Sequence, residues 1–265
     1  MTNIFDGKKF ARKKELDLEK KVQKLRSKKI FPHFASILIG SDTASLMYIN
    51  MKKKRGEKIG IEMSVHKFPK ATKSEDIVEL IKLLNDDKQI HGIMIQLPIP
   101  SPLDKHTDEF IKMIAPKKDV DGLKADSLYI HPTSKAIYEI LKLAEKKEEK
   151  RFVTVAVVGA TGMVGNSLSK VLGNHGYNTI KCNSKTTNLK DKTKVADVVI
   201  SATGKSGLIT KDYIKNEAVV IDVGSPQGDV NFEDVKDKVS FMTPVPNGVG
   251  PVTISCLLEN VVNAI

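Results

Sequence analysis

Two α/β domains with a cleft between them are what this 265-residue chain predicts, and three observations predict them. Short apolar runs rich in Val and Ile alternate with helical stretches of roughly 10–15 residues, the pattern of parallel strands covered on both faces. A charged run, "EKKEEK", interrupts the alternation near mid-chain. Beyond it the alternation restarts with an apolar strand that enters a glycine-rich turn, "VVGATGMVG".

The elements follow in order. A charged helix over residues 8–28 leads to the strand "HFASILIG", and a helix over 43–58 leads to the strand "EMSVHKF". The helix "KSEDIVELIKLLN", the strand "GIMIQ" and the turn "LPIPSP" come next, then "KKDVDG" and a helix over 134–146. In the second half "VTVAVVG", "YNTIKC", "DVVISATG", "AVVIDVG" and "VSFMTPVP" are strands, and "MVGNSLSKVLGNHG" is a helix with a glycine stop. The closing segment "PVTISCLLENVVNAI" is helical, with Pro251 suited to its first turn. The expected boundaries are 1–137 plus 247–265 for the first domain and 138–246 for the second, with "EKKEEK" as a joint. The X-Pro bonds of "LPIPSP" and "TPVP" are open to either isomer.

Composition narrows the function classes. The N-terminus lacks the apolar core of a secretory signal, and no stretch approaches the roughly 20 apolar residues of a membrane span. Two cysteines, Cys182 and Cys256, are too few for a disulfide framework, so a cytoplasmic protein is expected. The net charge of +11 suits anionic ligands, yet the excess is lysine spread along helix faces. With 5% aromatic residues and no Trp there is no base-stacking platform, which argues against nucleic acid. The six histidines (33, 66, 91, 106, 131 and 175) lack metal-ligand spacing. They read as surface or helix-end residues, and no metal is expected.

The glycine turn carries chemistry. Gly159, Gly162 and Gly165 stand between strand and helix, where a dinucleotide-binding fold brings backbone up to a pyrophosphate at a helix N-terminus. The spacing is GxxGxxG rather than GxGxxG, and a tight βα turn with glycines for packing is the competing reading. At the end of the next strand an NAD site offers an acid to the ribose. This chain offers Asn183, Ser184 and Lys185 instead, which suits a phosphate ester and hence NADP.

The helix "ASLMYINMKKKRGEK" poses a second question. Tyr48 and Lys52 are four apart and share a helix face. Among Lys53, Lys54, Arg55 and Lys58, Lys52 could also be one more solvated charge.

Taken together and in order, "YINMK", "GIMIQLPIPSP", "KKDVDG", the glycine loop and "TPVPNGVGPVT" resemble the bifunctional methylenetetrahydrofolate dehydrogenase/methenyltetrahydrofolate cyclohydrolase family over essentially the whole chain. The resemblance implies that Tyr48, Lys52, Gln96 and Asp121 line a folate cleft and carry catalysis, with Lys52 activating water and Gln96 holding it. It adds Leu97, Pro246, Gly248 and Gly250 to the substrate contacts. It implies cofactor contacts from Gly159, Ala160, Thr161, Gly162, Gly165, Ser184, Lys185, Ala202, Thr203, Gly204, Val223, Gly224, Ser225 and Thr253. NADP, tetrahydrofolate derivatives and a homodimer are the implied cofactor, ligands and assembly.

The chain also departs from the family's pattern. Ala160-Thr161 replaces Arg-Ser, Asn183 replaces a histidine, "HPTSKA" replaces "PCTPxG", and Asn247 stands at a glycine position whose left-handed backbone Asn tolerates. The loop "DVGSPQGDVNF" is short. Two other readings follow: a cyclohydrolase-only member with weakened cofactor binding, and a basic nucleic-acid-binding protein on an α/β scaffold.

Overall fold

The structure, a computed structural model, describes residues 2–265. The first half of the chain runs β1 (Asn3–Ile4), α1 (Gly7–Ser27), β2 (His33–Ile39), α2 (Thr43–Lys58), β3 (Glu62–Phe68), α3 (Ser74–Asp86), β4 (Gly92–Ile95) and α4 (Thr107–Met113). A long helix, α5 (Pro132–Lys147), precedes the second alternation of β5 (Thr154–Val158), α6 (Met163–Asn174), β6 (Asn178–Cys182), α7 (Leu189–Lys194) and β7 (Val198–Ser201). Then come β8 (Val219–Asp222), α8 (Phe232–Val235), β9 (Phe241–Met242) and α9 (Val249–Asn263).

These elements form two compact units. One is Lys13–His131 with Leu257–Ile265; the other is Pro132–Cys256 with the described residues up to Arg12. The divisions differ from the sequence-based boundaries, and the reason is packing. The apolar face of α5 (Ala136, Ile137, Ile140, Leu141 and Ala144) lies in the same core as Val155, Val157 and Ile221 of the second-half sheet. The expected joint "EKKEEK" is partly that helix. Its Glu145 is buried at 6% exposure, accepts hydrogen bonds from the Tyr177 hydroxyl (3.0 Å) and the Phe152 N–H (3.2 Å), and pairs with Lys142.

In the second-half unit six parallel strands are ordered β1-β9-β8-β7-β5-β6. The "VVIS" and "VVID" runs of β7 and β8 are buried throughout, as central parallel strands require. The N-terminal strand β1, which sequence patterning missed, pairs Asn3 with Phe241 and Ile4 with Met242. Two residues carry no periodicity; only the partner strand defines them.

In the other unit three parallel strands are ordered β3-β2-β4. Ala35, Ile37, Ile77, Ile81, Ile93, Ile95 and Phe110 pack in one of its cores. The peptide bonds before Pro98, Pro102, Pro226 and Pro246 are cis. Among the described residues no helix is long and apolar enough to cross a membrane.

Candidate active site

Helix α2 starts on an Asp42 cap, whose carboxylate accepts the Ser45 N–H at 2.8 Å. Its buried residues are Ser45, Ile49, Lys52 and Gly56, spaced four, three and four apart as one helical face demands. Lys52 therefore occupies a core position of the stripe and is only 4% exposed. Its basic neighbours differ. Lys53 makes an exposed pair with Glu57 at 3.8 Å, Lys54 is exposed, and Arg55 pairs with the buried Glu15.

The buried amine has specific partners. Lys52 Nζ donates to Gln96 Oε1 at 3.1 Å, lies 3.7 Å from Met94 Sδ, and stands 4.4 Å from the centre of the Tyr48 ring. Gln96 is fixed in turn. Its N–H donates to the Ile37 carbonyl at 2.8 Å and its side-chain amide to the Leu97 carbonyl at 2.8 Å. The amide oxygen is thereby turned to the amine. Burial pulls the Lys52 pKa down to about 8, against the opposing pull of the Asp121 charge. The half-buried Tyr48 hydroxyl is pushed up by burial and by Asp121, with Arg55 opposing. An amine lowered to about 8 beside an aromatic face is partly deprotonated near neutral pH, increasingly so above it, and can then take a proton.

The "KKDVDG" segment positions Asp121 through residues that sequence reasoning passed over. Lys118 is buried, its ammonium donating to the Leu84 carbonyl (2.7 Å) and the Asp87 carbonyl (2.6 Å) at the end of α3. Asp119, 1% exposed, accepts the Lys124 N–H at 2.9 Å and the Leu123 N–H at 3.3 Å. Asp119 thus holds the loop, and Asp121 beside it is half-buried. Sequence could have separated the two aspartates only by knowing which carboxylate the loop folds over.

The histidines require a correction. His131 is buried at 8% exposure and shares the electrostatic surroundings of Asp121 and Lys52, while His33, His66 and His91 are half-buried around β2–β4. The expectation of surface and helix-end positions overlooked that histidine fills a core as readily as a rim.

In the other unit the glycine loop joins β5 to α6. Gly159 has φ +90, and a Cβ there would lie 2.3 Å from the Ala202 carbonyl oxygen. A Cβ on Gly165 would lie 2.2 Å from the Gly159 oxygen. Gly162, the N-cap of α6, meets nothing nearer than 3.4 Å. Two of the three glycines are steric necessities. Ala160 is buried and its N–H donates to the Cys182 carbonyl at 2.9 Å, whereas Thr161 is exposed beside the helix N-terminus. After β6, Asn183 accepts the Lys185 N–H at 2.9 Å in a turn that leaves Ser184 and Lys185 exposed.

Ala202, Thr203 and Gly204 follow β7, and Val223, Gly224 and Ser225 follow β8. Both loops are tied to a carboxylate pair that sequence reasoning missed. Asp222 accepts the N–H groups of Gly224, Asp229 and Val230 at 2.9–3.0 Å, and Asp229 accepts the Thr203 N–H (2.6 Å) and the Ser201 hydroxyl (3.0 Å). The short loop is folded over its own aspartate. Asn247 takes φ +79, and a Cβ on buried Gly248 would stand 2.3 Å from the Pro244 oxygen. Pro246 and Gly250 are exposed, and Thr253 is buried with its hydroxyl 3.3 Å from the Val249 carbonyl.

A parallel sheet with a glycine turn at a helix N-terminus, and a separate unit burying an amine of reduced basicity, define a Rossmann-type two-unit α/β protein. The chain belongs to the tetrahydrofolate dehydrogenase/cyclohydrolase family: that family's catalytic-domain model matches residues 5–121 and its NAD(P)-binding-domain model residues 131–265. It is 40% identical to the bifunctional protein FolD of Lactobacillus helveticus, over 99% of this chain and 97% of the relative. The FolD methylenetetrahydrofolate dehydrogenase/cyclohydrolase of Campylobacter jejuni superposes with TM-score 0.92 at 34% identity, covering 100% of this chain and 98% of that one. The Trypanosoma brucei enzyme, solved with NADP and an inhibitor, gives 0.91 at 28%, covering 99% and 97%.

Proposed function

We propose that the chain oxidises methylenetetrahydrofolate with NADP and hydrolyses the methenyl product to formyltetrahydrofolate. The observation that carries this reading is the Lys52 amine, buried, bonded to Gln96 and lowered to about 8. In this reading Tyr48 stacks on the ligand's aromatic ring system. Asp121 accepts a forked pair of hydrogen bonds from the pterin amino group and ring nitrogen. Lys52, as the amine, takes a proton from the water that adds to the methenyl carbon, while Gln96 keeps the amine in place. When bound, the dinucleotide supplies the hydride acceptor.

The residues present suit a dinucleotide, because a Cβ would fill the cradle at Gly159 and Gly165. The first turn of α6 supplies amide donors to a pyrophosphate. Exposed Ser184 and Lys185, with no acid beside them, favour the phosphate of NADP over the diol of NAD. A cytoplasmic homodimer is the proposed state, to be checked by light scattering and cell fractionation.

Hydrolysis without oxidation is the second reading, favoured by Ala160, which offers no charged side chain and whose N–H is already engaged. One spectrophotometric assay separates the two. The purified chain is given methylenetetrahydrofolate with NADP, then with NAD, and separately methenyltetrahydrofolate alone. Reduction of NADP together with loss of the methenyl chromophore is expected. Loss of the chromophore without reduction of either dinucleotide selects the second reading, and neither signal overturns both.

A further inference from the structure

In the order β8-β7-β5-β6 the chain leaves β5 for β6 on one side and then crosses to β7 on the other. Parallel sheets bind ligands outside the carboxyl ends of their strands at such a reversal. Gly159 after β5 and Ala202–Gly204 after β7 stand on its two sides. They are in contact: a Cβ on Gly159 would lie 2.3 Å from the Ala202 oxygen and 3.2 Å from the Thr203 nitrogen.

Asp229 belongs to neither turn. It follows β8 and is 0% exposed. Its Oδ2 accepts both the Thr203 N–H at 2.6 Å and the Ser201 hydroxyl at 3.0 Å. Its main chain is fixed on either side of that carboxylate. The N–H donates to Asp222 Oδ1 at 3.0 Å, and the carbonyl accepts the Ile209 N–H at 3.0 Å. The other oxygen, Oδ1, is buried with no partner. A buried carboxylate is costly unless hydrogen bonds offset its desolvation, and here those bonds converge on the end of β7. Asp222 differs, since both its oxygens accept N–H groups within the loop after β8.

We propose that Asp229 is a positioning residue for the dinucleotide: its Oδ2 holds the Thr203 amide, and with it the Ala202–Gly204 turn, against the glycine turn. The inference rests on the dinucleotide reading above.

The unpaired oxygen sets the test. Asp229→Asn keeps an acceptor for Thr203 and Ser201 and puts its amide nitrogen at the Oδ1 position, where no donor is bound. Asp229→Ala removes the acceptor. NADP binding to the full chain is measured by titration calorimetry, and methenyl hydrolysis is measured with no dinucleotide present. Asp229→Ala should raise the NADP dissociation constant at least roughly tenfold while hydrolysis stays near the parent's. Asp229→Asn should recover binding to within about threefold of the parent's. Ser201→Ala removes one donor from the same oxygen and serves if the alanine variant at 229 does not fold; it should raise the constant roughly threefold. Unchanged binding in whichever of these two folds overturns the proposal. So does an equal loss of binding and hydrolysis, which would make Asp229 a support of the fold alone. Failure of Asp229→Asn to recover binding overturns it too, because the charge rather than the hydrogen bonds would then matter. If the parent binds neither NADP nor NAD, it is the dinucleotide reading that fails.

Discussion

The Lys52 amine lies 4.4 Å from the centre of the Tyr48 ring, one helical turn earlier on the same face. This pairing lets a helix dense in basic residues contribute a single buried amine. A cation over an aromatic face is stabilised by the ring's quadrupole, but that does not offset full desolvation, so the amine's affinity for its proton falls. Lys54 is exposed and Lys53 pairs with Glu57 at the surface.

Lys52→Met retains a residue of similar length and good helix propensity. Hydrolysis of methenyltetrahydrofolate should fall by roughly 10²–10⁴-fold, while hydride transfer, which needs no proton relay, survives in part and methenyl product accumulates. Lys53→Met should leave both rates near the parent's. In the parent, hydrolysis should rise with pH through about 8 as the ammonium becomes the amine. Equal behaviour of the two mutants would show that Lys52 is not the proton acceptor.

The same lysine makes a prediction about stability. Its folded pKa, about 8, lies below the ordinary value of 10.5, so the unfolded chain holds the proton more tightly. The cost of burying the charge is complete below pH 8 and is relieved as pH climbs towards 10.5. Between pH 7 and pH 9 the parent should therefore gain stability relative to Lys52→Met, on the order of 1 kcal/mol, read from paired urea titrations. A gap that stays constant with pH would mean that the amine is not desolvated.

For the dinucleotide, the efficiency with NADP should exceed that with NAD. Lys185→Ala should reduce NADP efficiency roughly tenfold, the worth of one charge-assisted contact, and leave NAD nearly unchanged. An NAD efficiency equal to or above that of NADP in the parent would contradict the assignment of Ser184 and Lys185.

Gly165→Ala places a methyl 2.2 Å from the Gly159 oxygen, so the loop must shift. A stability loss of about 1–3 kcal/mol and weakened dinucleotide binding by calorimetry should follow. Gly162→Ala, with its nearest neighbour at 3.4 Å, should bind close to normally. If both lose binding alike, the loop's shape is not set by the steric limits at Gly165.

The two aspartates of "KKDVDG" should separate cleanly. Asp119→Ala strips the acceptors from the Leu123 and Lys124 N–H groups and should cost about 1–3 kcal/mol in urea unfolding. Asp121→Ala should cost less stability and weaken folate binding tenfold or more, the worth of a forked charge-assisted pair. Reversed outcomes would exchange their roles.

By itself the sequence determined the succession of elements, because strand and helix periodicities are local. The limits of α2 and β3, Thr43–Lys58 and Glu62–Phe68, coincide with runs visible in the residues, and the glycine turn lies between β5 and α6 as its pattern demands. It also placed Tyr48 and Lys52 on one face, since the helical repeat alone does that. Tertiary structure decided everything that depends on what covers a residue. Four successive basic side chains, Lys52 to Arg55, look alike in sequence. Met94, Gln96 and Tyr48 around the amine make Lys52 the buried one. Packing likewise made Asp119 the buried acceptor of its loop and left Asp121 half-buried, took Glu145 and His131 out of solvent, and made a strand of Asn3–Ile4. Desolvation and charge act over a few ångströms of space, whatever the separation along the chain. Proton affinities at this site are therefore properties of the packing, and no reading of local periodicity reaches them.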